Sequence, residues 1–148
     1  MDSIRINLQR LPHHDGLPVP SYMTTGSSGV DIYSANQDPI VIAPGKAVLI
    51  PTGFALSIPP GFEAQIRPRS GLALKHNLTL LNTPGTIDSD YRGEIKVLVI
   101  NLGDKEYIVK RGERIAQMVF ARIERVVFSE ENALDETRRG AGGFGHTG

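Results

Sequence analysis

Asp88 and Asp90 stand two residues apart in the stretch GTIDSDYRGE, directly before the apolar run EIKVLVIN. Side chains at i and i+2 of an extended segment share a face, so the pair could bring two carboxylates to one cleft. The same residues also make a polar turn that caps its own backbone. RPRSGLA gathers Arg67, Arg69, the Ser70 hydroxyl and the Gly71 backbone in one turn. Guanidinium forks and an approachable amide suit phosphate oxygens, although an exposed basic turn has the same composition. In TTGSSGVDIYSA, Asp31 lies between Val30 and Ile32, an acid that either caps its turn or orients a metal-bound water. The closing stretch RRGAGGFGHTG joins Arg138 and Arg139 to a series of glycines and the ring of Phe144. Glycine lets backbone N–H groups approach an anion closely. The stretch is not a Walker loop, which needs a Gly-Lys-Ser/Thr ending that leads into a helix. A ring in so polar a setting is better suited to stacking on a base than to a core. Taken together, these turns, the acid pair and the arginine–glycine–phenylalanine stretch describe a nucleotide site.

The elements that must hold such a site are strands. Ile4, Ile6 and Leu8 alternate with polar residues, as do Phe54, Leu56 and Ile58, and further β-branched runs are AVLI, FEAQIR, LTLLN, EYIVK, IAQMVFARI and RVVF. Pro44-Gly45, Pro60-Gly61 and Pro84-Gly85 punctuate them. Many short strands separated by turn signals read as an all-β sandwich or barrel, with one short helix around SGLALKHN. Residues 1–128 are expected to form that domain and residues 129–148, polar and glycine-rich, a flexible C-terminal arm. The histidines contribute little: His13 and His14 are adjacent, so in an extended chain they point to opposite sides and make a poor metal pair. His76 reads as a solvated loop residue.

At 148 residues the chain is one domain in size, and a domain of that length buries roughly 70% of its unfolded surface. Lys and Arg total 16 against 16 Asp and Glu, so no global field draws in nucleic acid or an anionic membrane. An anion must instead be caught by a local arginine cluster. The absence of cysteine removes disulfides and thiolate metal sites and fits a reducing compartment. MDSIRINLQR lacks the apolar core of a signal peptide, and no apolar run is long enough to span a membrane. The expectation is a soluble cytoplasmic protein.

The order SSGVDIYSA, PRSGLA, GTIDSDYRGE, GERIAQMVF and RGAGGFGHTG resembles the trimeric β-type deoxyuridine triphosphate nucleotidohydrolases, the dUTPases, from about Gly26 onward. The resemblance implies a distorted jelly-roll homotrimer that hydrolyses dUTP to dUMP and pyrophosphate by water attack at the α-phosphorus. Such an enzyme lowers dUTP, keeps uracil out of DNA and supplies dUMP for dTMP synthesis. Asp88 matches the family's general base. Arg69, Ser70 and Gly71 match its phosphate-binding turn, and Gln117 a glutamine near the same phosphates. Magnesium is expected on the phosphates and their waters, in keeping with its reluctance to dehydrate, with Asp31 acting on it through water.

Uracil presents acceptor, donor and acceptor along its edge, and the family answers with the backbone of a hairpin. Leu81 to Ile87 match that segment here, with the Asn82 amide as helper and Thr86 and Ile87 beside the base. A cytosine edge would leave buried backbone unpaired. Tyr91 matches the ring packed against deoxyribose, Lys96 a nucleotide contact, Arg139 the γ-phosphate ligand, and Phe144 the ring stacked over uracil. Gly145, His146 and Thr147 complete the arm motif. Many relatives read GFGSTG there, so His146 is a departure; an imidazole can still donate to phosphate. The arm is expected to reach across to a neighbour's site. Two other readings exist on the same scaffold. A dCTP deaminase would not need the acid of IDSDY, and a non-catalytic nucleotide sensor should have lost Asp88 or the arm arginine.

Overall fold

The structure, a computed structural model, describes residues 3–146. In chain order its elements are β1 (Asn7–Arg10), a 3-10 turn (Pro12–His14), β2 (Val30–Tyr33), β3 (Ile40–Ile42), β4 (Ala47–Ser57) and β5 (Phe62–Arg67). There follow α1 (Ser70–His76), β6 (Leu78–Leu80), β7 (Gly85–Ile87), β8 (Glu94–Asn101), β9 (Tyr107–Val109) and β10 (Arg114–Arg122). One four-stranded sheet runs β1-β4-β8-β6, a second runs β2-β10-β5-β7, and β3 and β9 form a two-stranded ribbon. Every pairing is antiparallel. The all-β expectation and the single short helix are both met.

Alternation explains the layers. In β8, Ile95, Val97 and Val99 point inward and are buried, while Glu94 and Lys96 face out. In β2, Val30 and Ile32 point inward and Asp31 outward; in β10 the inward residues include Ile115 and Met118 and the outward ones include Gln117. The inward faces of both sheets meet in one core with Ile50, Phe54 and Ile66, and each large side chain buried there contributes about 1.5–3 kcal/mol. Asn101 is one of the few polar residues buried with it. Its amide donates to the carbonyls of Ile42 (2.9 Å) and Lys105 (2.7 Å) and its oxygen accepts from the Gly103 N–H (2.9 Å), so burial leaves it satisfied.

The long strand β4 changes register against β8 between Pro51 and Ala55. At that irregularity Gly53 has φ +74°, and a Cβ there would come within 2.9 Å of the His14 backbone. Only glycine fits, because the 3-10 turn lies directly on it. The Leu11 N–H donates to the Gly53 carbonyl at 2.8 Å. The N-terminal segment, which the alternation of Ile4, Ile6 and Leu8 marks as a strand, therefore also lays a turn across the middle of β4.

Four sequence-based expectations differ from the structure. His76 is exposed but not in a loop: it is the last residue of α1, its ring 4.9 Å from that of Tyr107. RVVF forms no strand: β10 ends at Arg122, and Val126, Val127 and Phe128 are exposed. A β-branched run has the same pattern whether its partner lies in its own chain or in another. The segment from Leu81 to Ile87 is a crossover, not a paired hairpin, since β6 pairs with β8 and β7 with β5. His13 and His14 lie in a tight turn rather than an extended chain. His14 points into the core, edge-on to Phe54 at 6.1 Å between ring centres.

Candidate active site

The chain leaves β7, turns at Asp88 to Tyr91 and enters β8 at Glu94. The turn is closed by the Tyr91 N–H donating to the Asp88 carbonyl (3.2 Å). Arg92 staples it further, its Nη1 donating to the carbonyls of Ser89 (2.6 Å) and Tyr91 (3.0 Å). Against the outer faces of β4 and β8 this turn encloses a cleft of about 480 Å³, lined by Leu49, Thr86, Ile87, Asp88, Tyr91, Glu94 and Lys96. Asp88, Thr86, Ile87, Tyr91 and Lys96 were each singled out from the sequence, and the fold brings them together. Asp90 does not join them, because the acid pair spans a turn and not a strand. Asn82 sits in the exposed crossover, its amide nitrogen 3.3 Å from where a Cβ on Gly85 would lie.

Leu49, Glu94 and His13 were missed. Leu49 is exposed on the outer face of β4, an apolar side chain that suits the flat edge of a ring. Glu94 Oε1 accepts from the Gly53 N–H (2.9 Å) and from His13 Nε2 (2.5 Å), while Oε2 lies 3.9 Å from Lys96 Nζ. The hydroxyl of Tyr91 donates to the Glu94 carbonyl at 2.9 Å. No local pattern could reveal the His13–Glu94 contact, because it joins residues 81 apart in sequence.

Arg69, Ser70, Gly71, Gln117 and Asp31 form a separate cluster on the outer face of the second sheet. Asp31, Gln117 and Arg67 are cross-strand neighbours in one row over β2, β10 and β5. Arg114 Nη1 donates to Asp31 Oδ2 at 2.9 Å, and Arg69 Nε lies 3.7 Å from Oδ1. Arg69 Nη1 also donates to the Arg114 carbonyl (2.9 Å), and the Gln117 amide to the Pro68 carbonyl (3.1 Å). Arg114 belongs to this cluster and was also missed; the register shift between Arg114 and Ala116 turns it toward Asp31. Ser70 and Gly71 open α1, where first-turn N–H groups have no partner within the helix. None of these residues lines the Asp88 cleft. A single chain therefore carries two separate clusters of the residues singled out.

The arm residues form a third group. Arg139 Nε donates to the Gly142 carbonyl (2.7 Å), and the N–H groups of Gly142 and His146 donate to the carbonyls of Arg139 and Gly143, both at 3.1 Å. Phe144 is fully exposed, with Gly145 and His146 exposed beside it. Thr147 lies outside the described residues. Among the described residues, no three of His, Cys, Asp or Glu converge as a metal cage. At Asp31 one carboxylate stands between two guanidiniums, a net positive group that suits phosphate oxygens; a cation there would be held mainly by the phosphates it arrives with. No helix among the described residues is long and apolar enough to cross a membrane.

Comparison with known proteins adds to this geometry. A sequence model of the dUTPase family matches residues 15–148. A deoxyuridine 5'-triphosphate nucleotidohydrolase of Mesorhizobium japonicum is 56% identical over 145 residues, 97% of this chain and 90% of that protein. Among solved structures, the Staphylococcus bacteriophage 80alpha dUTPase with dUPNHPP superposes with a TM-score of 0.87 at 25% identity, covering 99% of both chains. A dUTPase variant from phage phi11 of S. aureus, whose structure is described as showing the coordination of a structural Mg(II) ion, has a TM-score of 0.77 at 21% identity. It covers 88% of this chain and 98% of its own, a likeness of fold.

Proposed function

The chain belongs to the dUTPase family, and from that premise we propose that it hydrolyses dUTP to dUMP and pyrophosphate at a site shared between subunits. The observation that carries this reading is the cleft that gathers Thr86, Ile87, Asp88, Tyr91 and Lys96 in one hollow. Asp88 takes a proton from the water that attacks the α-phosphorus. The backbone at Thr86 and Ile87 reads the uracil edge with help from Asn82, and Tyr91 packs on the deoxyribose where a 2′-hydroxyl would clash. Lys96 adds a nucleotide contact.

The phosphates lie against Arg69, Ser70, Gly71 and Gln117. Magnesium, when bound, would neutralise charge on the triphosphate and so favour attack at phosphorus. Asp31, held by Arg114 and Arg69, would orient a water on that ion. The two half-sites do not share a cavity within one chain, which supports a homotrimer in which neighbouring subunits supply the missing half. Val126, Val127 and Phe128 are 70%, 97% and 90% exposed; so continuous an apolar run is expected to be covered by another copy. The arm, residues 129–148, then crosses to a neighbour, with Arg139 on the γ-phosphate, Phe144 over uracil, and Gly145, His146 and Thr147 closing the motif. Such an arm can close on substrate and open to release product. The cysteine-free composition suits cytoplasmic work.

The test is a panel of dUTP, dCTP, dTTP and UTP with magnesium, scored for pyrophosphate and nucleotide products. dUMP from dUTP is expected, with the other substrates slower by roughly 10⁴, the discrimination available when buried polar groups would go unpaired. Ammonia released from dCTP would instead make the chain a deaminase.

A further inference from the structure

Gly93 sits against the ring of Tyr91. A Cβ at position 93 would fall on the Tyr91 hydroxyl and come within 2.6 Å of Cζ and 3.0 Å of Cε2. Its φ lies outside the left-handed region, so the backbone there would accept alanine. What alanine would disturb is the ring. At 44% exposure, Tyr91 lacks the all-round packing that fixes a core aromatic, and its orientation depends on a few contacts. The hydroxyl donates to the Glu94 carbonyl at 2.9 Å. Glu94 is anchored in turn, its carboxylate bonded to the Gly53 N–H and to His13.

We infer that Gly93 is a positioning residue for sugar selectivity. The missing side chain at 93 and the Glu94 carbonyl form a seat that sets the Tyr91 ring at the depth where a 2′-hydrogen fits and a 2′-hydroxyl does not. This rests on the reading of Tyr91 as the sugar-packing ring. A side chain at 93 pushes the ring off its seat, and a displacement of about 1 Å at a positioned group can cost on the order of 10²-fold. The loss should appear as selectivity and KM, because Tyr91 does not touch the reacting phosphorus.

The experiment measures kcat and KM for dUTP and UTP in four proteins: the parent, Gly93→Ala, Tyr91→Ala and the double variant. Gly93→Ala should raise the UTP-to-dUTP ratio of kcat/KM by about tenfold or more, mainly through a higher KM for dUTP. In the Tyr91→Ala background the same change should do nothing further to the ratio, since the clashing ring is gone. An equal effect in both backgrounds would mean that Gly93 acts through the turn and not the ring, which overturns the inference. So would an unchanged ratio in Gly93→Ala beside a relaxed ratio in Tyr91→Ala, while leaving the sugar-packing reading intact. An unchanged ratio in Tyr91→Ala removes that reading and the inference with it. Should Gly93→Ala fail to fold, the double variant, free of the clash, has to fold; its failure would also refute the seat.

Discussion

The cleft beside Asp88 and the stretch from Glu124 to His146 both carry residues assigned to the nucleotide, yet they are held in opposite ways. Around the cleft, contacts join residues far apart in sequence: His13 to Glu94, Gly53 to Glu94, and β7 to β5. In residues 124–146 the hydrogen bonds among the described residues link positions two or three apart, and almost every side chain is exposed. One region is set in place by folding. The other has only short-range contacts within its own chain, and on the proposed reading it orders on a partner or a ligand at that moment's entropic cost. Substitutions in the first should therefore alter chemistry and selectivity within a rigid frame. Those in the second should alter closure over substrate without touching the fold.

The largest effect is expected in the cleft. Asp88→Asn keeps shape and removes basicity, so turnover should fall about 10²- to 10⁴-fold, the usual worth of a positioned base. Binding of a non-hydrolysable dUTP analogue, followed by calorimetry, should change far less. Near-normal turnover would take the base role from Asp88. On the other side of the comparison, deleting residues 138–148 should sharply reduce hydrolysis while the melting temperature stays within a degree or two of the parent, roughly the scatter of surface changes. A fall in melting temperature of ten degrees would show that the arm belongs to the fold after all. Phe144→Ala is a finer cut through the same region. Loss of one base–aromatic stack should weaken analogue affinity by about 1–3 kcal/mol, with melting again unchanged.

The smallest effect separates the regions by pH. Burial lowers the pKa of His14 below its ordinary 6.5, with repulsion from Arg10, Arg111 and His13 adding to it. The folded chain then binds fewer protons than the unfolded chain below about pH 6.5, so stability falls with pH from there down to the lowered folded pKa. His14→Gln should flatten that acid slope in urea titrations, and the arm deletion should leave it unchanged. An unaltered slope in His14→Gln would place the acid sensitivity elsewhere.

How far the sequence could be read follows the same division. EIKVLVIN reads directly as β8 because its alternation is set by its own two faces, and α1 stops where expected because Asn77 takes the left-handed conformation (φ 55°) that ends a helix. The individual motifs were legible for the same reason: each is a local turn. What was not legible was anything decided by a distant partner. RVVF has strand composition and no strand partner within its chain. His13 and His14 gained roles only once the 3-10 turn crossed β4. Arg114 reaches Asp31 only through an irregularity between β10 and β2. That PRSGLA and IDSDY lie apart on one chain is likewise a matter of topology, invisible to spacing along the chain.

The central claim is that the site is shared, with the arm of one subunit completing the base-bearing cleft of another. Two damaged chains test it most directly. Asp88→Asn has an intact arm and no base, and the chain lacking residues 138–148 has the reverse. Each alone should be nearly inactive. Unfolded and refolded together, with mixed trimers verified by native mass spectrometry, they should regain dUTP hydrolysis, because some sites then pair a good base with a good arm. If mixed trimers form and no activity returns, the arm serves its own subunit and the shared site is wrong.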